Sequence, residues 1–210
     1  MLAGIYRSVY FCRVKKSERT RQYIVSRTAA VFNKQGYQGT SLSDLEGATG
    51  LTKGSLYGNF SDKEEIARAA FFHSMGQIRS FVRRRIEKKK TARAKLIAVL
   101  SFYAAYVFDP PVPGGCPLLN TAVEADDFNP AMKKIVAQEI EKTVAAIAEL
   151  LESGKKSGEF VQDFKARELA TLFFASVEGA LMMSRVSGSD KAMKIVVKHC
   201  KVLLDQITVK

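Results

Sequence analysis

The sequence predicts an all-α protein of about nine helices. Apolar residues recur at three-and-four spacing almost everywhere after residue 18, and strand-type alternation is nearly absent. Capping residues and glycine or proline breakers punctuate the chain at intervals that suit helices. With 210 residues, 47% of them hydrophobic, the chain can bury a sizeable core as one compact unit or as a small head on a larger body.

The opening "MLAGIYRSVYFCRVKK" carries Arg7 and Arg13 inside any apolar region and lacks a clean cleavage site, so residues 1–16 read as an unstructured basic extension. A first helix, about 18–35, sets Val25, Ala29 and Phe32 on one face and stops at Gly36, a natural left-handed cap. A second begins near Ser41, with Asp44 three residues on as capping partner, and buries Leu42 and Leu45. Gly50 then turns the chain. A third, short helix starts with Thr52 as N-cap, and Leu51 and Leu56 can form a hydrophobic staple across its start. "SDKE" opens the fourth, with Ser61 as cap and Glu64 as partner, and its pattern runs to about Lys89 as a bridge between two domains. Further helices are expected near 91–108, 117–126, 130–154, 165–187 and 190–207, separated by "DPPVPGG", "DDFNP", "GKKSGEF" and "SGSD". The charge run "FVRRRIEKKK" at 81–90 reads as a solvated helix face.

Lys and Arg total 33 against 21 Asp and Glu, a formal charge of +12, which favours a polyanionic partner, either nucleic acid or an acidic membrane surface. Cys12, Cys116 and Cys200 lie far apart with no CxxC pair, arguing against a disulfide framework or a structural zinc site and for a reducing cytoplasm. No run of about 18 apolar residues is present, so no membrane-spanning helix is expected. His73 and His199 sit on different helices, and neither a metal-ligand pair, a GxSxG turn nor a strand-borne phosphate loop appears. The expectation is a non-enzyme without metal or cofactor.

The stretch "GATGLTKGSLYGNFSDKEE", residues 47–65, joins two short helices through a glycine turn, as a helix-turn-helix does when its second helix enters the DNA major groove. Gly54, Ser55 and Gly58 keep that helix thin. Lys53 and Tyr57 share a face, and Lys63 opens the next helix, where free N–H groups already favour an anion such as a phosphate. An ordinary capped helical hairpin meets the same pattern.

The run "RQYIVSRTAAVFNKQGYQGTSLSDLEGATGLTKGSLYGNFSDKEE", which ends at Glu65, resembles the N-terminal domain of TetR-type transcriptional regulators over a little under a quarter of the chain. The Ala-x-x-Phe of helix one, the Gly-Tyr turn, the Thr-Ser cap, Thr-Gly-Leu-Thr-Lys-Gly-Ser-Leu-Tyr and Phe-x-x-Lys-Glu-Glu fall in order. "GEFVQDFKARELATLFFASVEGALMMSR" resembles the family's penultimate helix more loosely. The resemblance implies a DNA-binding head over 17–62 and a ligand-binding and dimerisation body over 63–210. It places Thr52, Lys53, Ser55 and Tyr57 on the recognition helix, Thr40 and Ser41 at the cap of its partner, and Lys63 at a phosphate. Two departures stand out: Glu46 with Gly47 replaces a small residue between the short helices, and Asn59, counted with the residues above as a candidate DNA contact, replaces a frequent histidine. A carboxylate at 46 needs a partner or solvent, and would repel phosphate if it turned outward.

In the resembled family the body holds an inducer, so Met75, Phe102, Tyr106 and Phe173 are candidate pocket residues, with plain core packing as the other reading. Cys116, Asn120 and Glu124 share a face of the sixth helix, either as a polar row toward the pocket or toward solvent. Cys116 follows two glycines at a helix start, where the thiol pKa is lowered, so it is either an approachable thiolate or a small buried hydrophobe. The apolar stripe Met193, Val196, Val197, Cys200, Leu203, Leu204 and Ile207, with Leu169, Leu172, Phe173, Val177, Ala180 and Leu181 before it, either packs within the monomer or pairs with a second copy through residues 165–207. The resulting expectation is a homodimeric cytoplasmic repressor that leaves a palindromic double-stranded operator when a small-molecule inducer binds. The alternative is a basic helical protein that binds nucleic acid or an anionic membrane without sequence preference.

Overall fold

The computed structural model describes residues 16–209, so the expected N-terminal extension lies outside the described residues except for Lys16. Among the described residues the chain forms nine helices: α1 (Lys16–Gly39), α2 (Leu42–Thr49), α3 (Lys53–Tyr57), α4 (Lys63–Ile86), α5 (Ala92–Tyr106), α6 (Pro117–Phe128), α7 (Pro130–Lys156), α8 (Ala166–Ser187) and α9 (Lys191–Ile207). The one β feature among them is an isolated antiparallel bridge between Phe160 and Thr208.

Two apolar clusters organise the chain. Ile24, Leu45, Leu56, Phe60 and Ile66 form the core of the head, with Val25, Phe32, Leu42 and Leu51 packed around them. Phe71, Met75 and Ile78, one to three turns farther along α4, belong to the larger core of the body. The fourth helix therefore serves both cores, and its first turn completes the head. The body closes on itself through the bridge, where Val161 N–H reaches the Ile207 carbonyl at 2.8 Å. Beside it Glu159 accepts the Ala92 and Arg93 N–H groups at 2.7 and 3.1 Å, meeting two of the donors that the start of α5 leaves unpaired.

Local chemistry explains the helix ends. Ser41 and Asp44 form the anticipated capping box, Thr52 accepts the Ser55 N–H at 3.3 Å, and Gly50 closes α2 in the left-handed region at φ 68°. The start of α4 differs from expectation by one residue. Asp62, not Ser61, is the N-cap and accepts the Glu65 N–H at 2.7 Å, while Glu65, not Glu64, takes the Ser61 N–H at 2.7 Å. Gly36 is also not a simple left-handed stop. Its φ of 73° and ψ of 175° fall in a region open essentially to glycine alone, and one further turn follows, to Gly39.

The α9 stripe is covered within the monomer: Met193, Val197, Cys200 and Leu204 are buried in the body core, as are Phe173, Val177, Ala180 and Leu181 of α8. Of the two readings, packing within the monomer accounts for these residues, while Leu172 of the same stripe is 50% exposed. A different face stays open, formed by Leu172, Met182, Met183 and Val186 on α8 and Ile195 and Val202 on α9. Apolar residues on both sides make α8 the one described helix long and apolar enough to cross a membrane, against the sequence expectation of none. Its charged Arg167, Glu168, Glu178 and Arg185, and the packing of its inner face on α7 and α9, account for it as a core helix with a second apolar face.

A side chain at Gly36 would meet the Glu124 carboxylate at 2.8 Å and would need a strained backbone. Gly36→Ala is expected to lower unfolding stability by about 1–3 kcal/mol in urea denaturation.

Candidate nucleic-acid interface and ligand cavity

α1 holds the helix-turn-helix from behind. The Tyr23 hydroxyl donates to the Thr49 carbonyl at 2.8 Å and Arg27 Nε to the Ala48 carbonyl at 3.0 Å, which satisfies the carboxyl end of α2. Arg21 lies 4.0 Å over the Phe60 ring, donates to the Asn59 carbonyl and pairs with Glu65 at 2.6 Å. These long-range contacts escaped the sequence reading, because nothing local to Arg21 announces a partner 44 residues away.

Thr52, Lys53 and Gly54 are exposed on α3, and Ser55 and Tyr57 are half-buried beside them, with Leu56 anchored in the head core. The expected outward face therefore exists. Ser41 is exposed next to it at the start of α2. Thr40 is not part of this face: it is 1% exposed, and its hydroxyl donates to the Gly36 carbonyl at 2.6 Å. Asn59 is turned inward, its amide donating to the Ser55 carbonyl at 2.9 Å. Lys63 is turned inward too. Its ammonium donates to the Tyr37 and Thr40 carbonyls at 2.9 Å each and lies 4.2 Å from the Tyr37 ring centre, leaving one N–H of three for any phosphate. Glu46 has its partner: Oε1 accepts the Lys53 N–H at 2.6 Å, so the carboxylate caps α3.

The polar row of α6 splits. Asn120 donates to the Asn33 and Gly114 carbonyls at 2.9 and 3.1 Å, and Glu124 accepts the Tyr37 and Gln38 N–H groups at 2.6 Å each, so both bind the head rather than a ligand or solvent. Asn33 returns the contact, its amide reaching the Pro113 and Gly115 carbonyls at 2.9 Å. Gly114, at φ 108°, permits this approach, since a Cβ there would stand 2.8 Å from the Asn33 carbonyl oxygen.

Cys116, at the start of α6, faces the other way. It lines a cavity of about 740 Å³ between α4, α5, α7 and α8, together with Met75, Leu96, Leu100, Tyr103 and Phe173. Phe102 and Tyr106, expected in the lining, are buried behind it, with ring centres 5.0 and 5.9 Å from that of Tyr103. Spacing alone cannot tell which of three neighbouring aromatics meets a cavity. On the rim, Glu139 binds Arg79 at 2.5 Å and Lys142 at 2.7 Å; burial pushes its pKa up, and these two cations outweigh burial and hold it below the usual carboxylate range.

The Cys116 thiol donates to Glu178 Oε1 at 3.1 Å. Burial, and then the Glu178 charge, raise the thiol pKa well above its ordinary value, and with Cys116 4% exposed the buried thiol is the one of the two readings that this environment suits. Glu178 was missed in the sequence reading. Its only signal was a lone acid inside the apolar run "FFASVEGALMM".

A capped recognition-type helix with a free outer face, braced by α1 and joined to a helical body, defines a helix-turn-helix DNA-binding regulator. Residues 24–70 match the family model for bacterial regulatory proteins of the tetR family, and residues 92–200 match the tetracyclin repressor-like C-terminal domain. A TetR family transcriptional regulator from Cytophaga hutchinsonii is 36% identical and superposes with a TM-score of 0.87 over 94% of this chain and 98% of that one. The HTH-type transcriptional repressor DhaR of Mycobacterium sp. (strain GP1) is 23% identical over 79% of this chain and 82% of its own length. CifR, a TetR family regulator solved as a cysteine mutant with 26 bp double-strand operator DNA, shares the fold at 23% identity and a TM-score of 0.76 over 86% of this chain and 94% of that one. This chain belongs to the TetR family of transcriptional regulators, which are not enzymes.

The brace has a pH signature. The Ser61 N–H, followed by Arg21, lowers the Glu65 pKa to about 2. Because the unfolded carboxyl titrates near 4.3 (about the ordinary Glu value), the unfolded state binds the proton more readily. The stabilisation is therefore complete above that value and lost as pH falls toward about 2. Glu65→Gln is expected to flatten the acid limb of head stability over that window, read by circular dichroism melts from pH 5 to 2.

Proposed function

We propose that the protein is a homodimeric, ligand-responsive repressor in the cytoplasm, which binds a palindromic double-stranded operator through residues 17–62 and releases it when a small molecule enters the body formed by 63–210. The observation that carries this reading is the exposed face of Thr52, Lys53 and Gly54 on a helix fixed through Leu56 to a head that is itself bonded to a cavity-bearing body. Ser41, Thr52, Lys53, Ser55 and Tyr57 form the proposed DNA contacts. The names of DhaR, a repressor, and of CifR, solved with operator DNA, support the sign and the partner by analogy. Thr40, Asn59 and Lys63 act by holding the head's shape, with Lys63 offering phosphate only its remaining N–H.

Footprinting on fragments selected from random DNA, under competitor DNA, tests specificity. One protected two-fold site is expected, and uniform protection would favour the nonspecific basic binder. Lys53→Ala is expected to shift preference among operator variants by about 1–3 kcal/mol at the contacted base, against equal weakening everywhere for a phosphate contact.

The open face of α8 and α9 is the proposed dimer surface, and a two-fold dimer suits a two-fold site. Val186, 87% exposed, and Ile195, 69% exposed, lie on it. Val186→Glu or Ile195→Lys is expected to yield folded monomers in analytical ultracentrifugation. Leu204→Glu, inside the body core, is expected to unfold the body instead.

A further inference from the structure

The cavity has a largely apolar wall, a charged edge that includes Arg79, Lys95, Glu139 and Lys142, and, apart from these, the bonded pair Glu178 and Cys116 in its lining. Glu178 is 8% exposed; Oε1 is taken by the Cys116 thiol at 3.1 Å, and Oε2 has no protein hydrogen-bond partner among the described residues and is itself covered, so a ligand in the cavity reaches it through a turn of this side chain. Of the cations lining the cavity, Arg79 and Lys142 pair with Glu139 and Arg83 with Glu87, while Lys95 has no ion-pair partner among the described residues and none of the four bonds Glu178. Burial raises the Glu178 pKa, against the lowering by the Cys116 hydrogen bond; in its ionised form Oε2 can only accept, so what completes it has to bring an N–H or O–H.

We propose that the cavity takes an apolar molecule ending in a hydrogen-bond donor, a phenol, alcohol or amine, and that Glu178 Oε2 is the group that receives it. The thiol of Cys116 fixes the carboxylate's orientation by occupying its other oxygen. The apolar body of the ligand lies along Met75, Leu96, Leu100 and Phe173. A ligand of the same shape ending in a carboxylate would bring a second anion against Glu178 in a buried place, where like charges are disfavoured. The assignment rests on the ligand-responsive reading for its biological sense, but its test reads binding alone.

Four probes on one skeleton separate the end group from the apolar body: hexylbenzene, 4-hexylphenol, 4-hexylaniline and 4-hexylbenzoate, titrated into the full chain by calorimetry. The phenol and aniline are expected to bind about tenfold or more tightly than hexylbenzene, and the benzoate more weakly than hexylbenzene. In Glu178→Leu, checked for fold by circular dichroism, that preference should vanish while hexylbenzene still binds. Should the Leu variant fail to fold, Glu178→Gln decides: a reduced preference supports the assignment and an unchanged one overturns it. Equal binding of all four probes, a preference for the benzoate, no binding of phenol or aniline, or a preference that survives in folded Glu178→Leu would also overturn it. A probe that binds through Glu178 yet leaves the DNA complex intact would remove the ligand-responsive reading and leave this assignment standing.

Discussion

At the end of α1 two backbone N–H groups, those of Tyr37 and Gln38, are turned out of the helix by the Gly36 backbone and taken by one carboxylate, Glu124 of α6. On the same turn the carbonyls of Tyr37 and Thr40 are taken by the Lys63 ammonium at the start of α4. Body and head are thus joined through charge-assisted hydrogen bonds to main chain, each worth about 1.5–3 kcal/mol when its partners are otherwise unpaired. The apolar contacts between α1 and α4 give cohesion but little register. The turn supplies the register, and the position of α3 follows from it, since α3 is braced to α1 through Arg21 and Phe60 and packs on Ile24 through the shared core.

Glycine is what lets the turn form. Glu124 approaches where any Cβ at Gly36 would sit, and Asn33 approaches where a Cβ at Gly114 would sit. Neither site was legible as a contact, although both glycines stand out in the sequence. Helix type, order and most caps were legible, because Ser41 with Asp44 and Thr52 with Ser55 are interactions within one turn. The α4 cap shows where local reading fails. Ser61 and Asp62 are both good caps and Glu64 and Glu65 both good partners, and Arg21 from another helix favours the second pair by binding Glu65.

The same reasoning applies to the apolar stripe of α9. Periodicity in α9 reveals which face is apolar, not what covers it, and α5 and α8 cover Met193, Val197 and Leu204 before a second copy can. For α8 the apolar residues exceed what one stripe needs, so two faces result, one in the core and one outward. A lone acid in that helix, Glu178, breaks the pattern from the core side. Leaving one oxygen of a buried carboxylate without a partner costs about 1–3 kcal/mol or more, so this position is not explained by packing.

The α6 helix ties these features together, because its two ends and faces serve different parts. Cys116 at its start touches Glu178 in the cavity, while Asn120 and Glu124, one and two turns on, hold Asn33 and the Gly36 turn. Twelve residues of α-helix span roughly 18 Å and move as a unit, since bending them breaks internal hydrogen bonds. A displacement at the cavity end must then either carry α1 along or break the two Glu124 bonds. Which of these happens is decided by differential affinity: a molecule in the cavity shifts the head only to the extent that it binds a displaced arrangement of α6 more tightly than the present one. Two charge-assisted bonds at Glu124 set the scale of that difference, and they make rigid-body movement of α1 with α6 the less costly of the two responses.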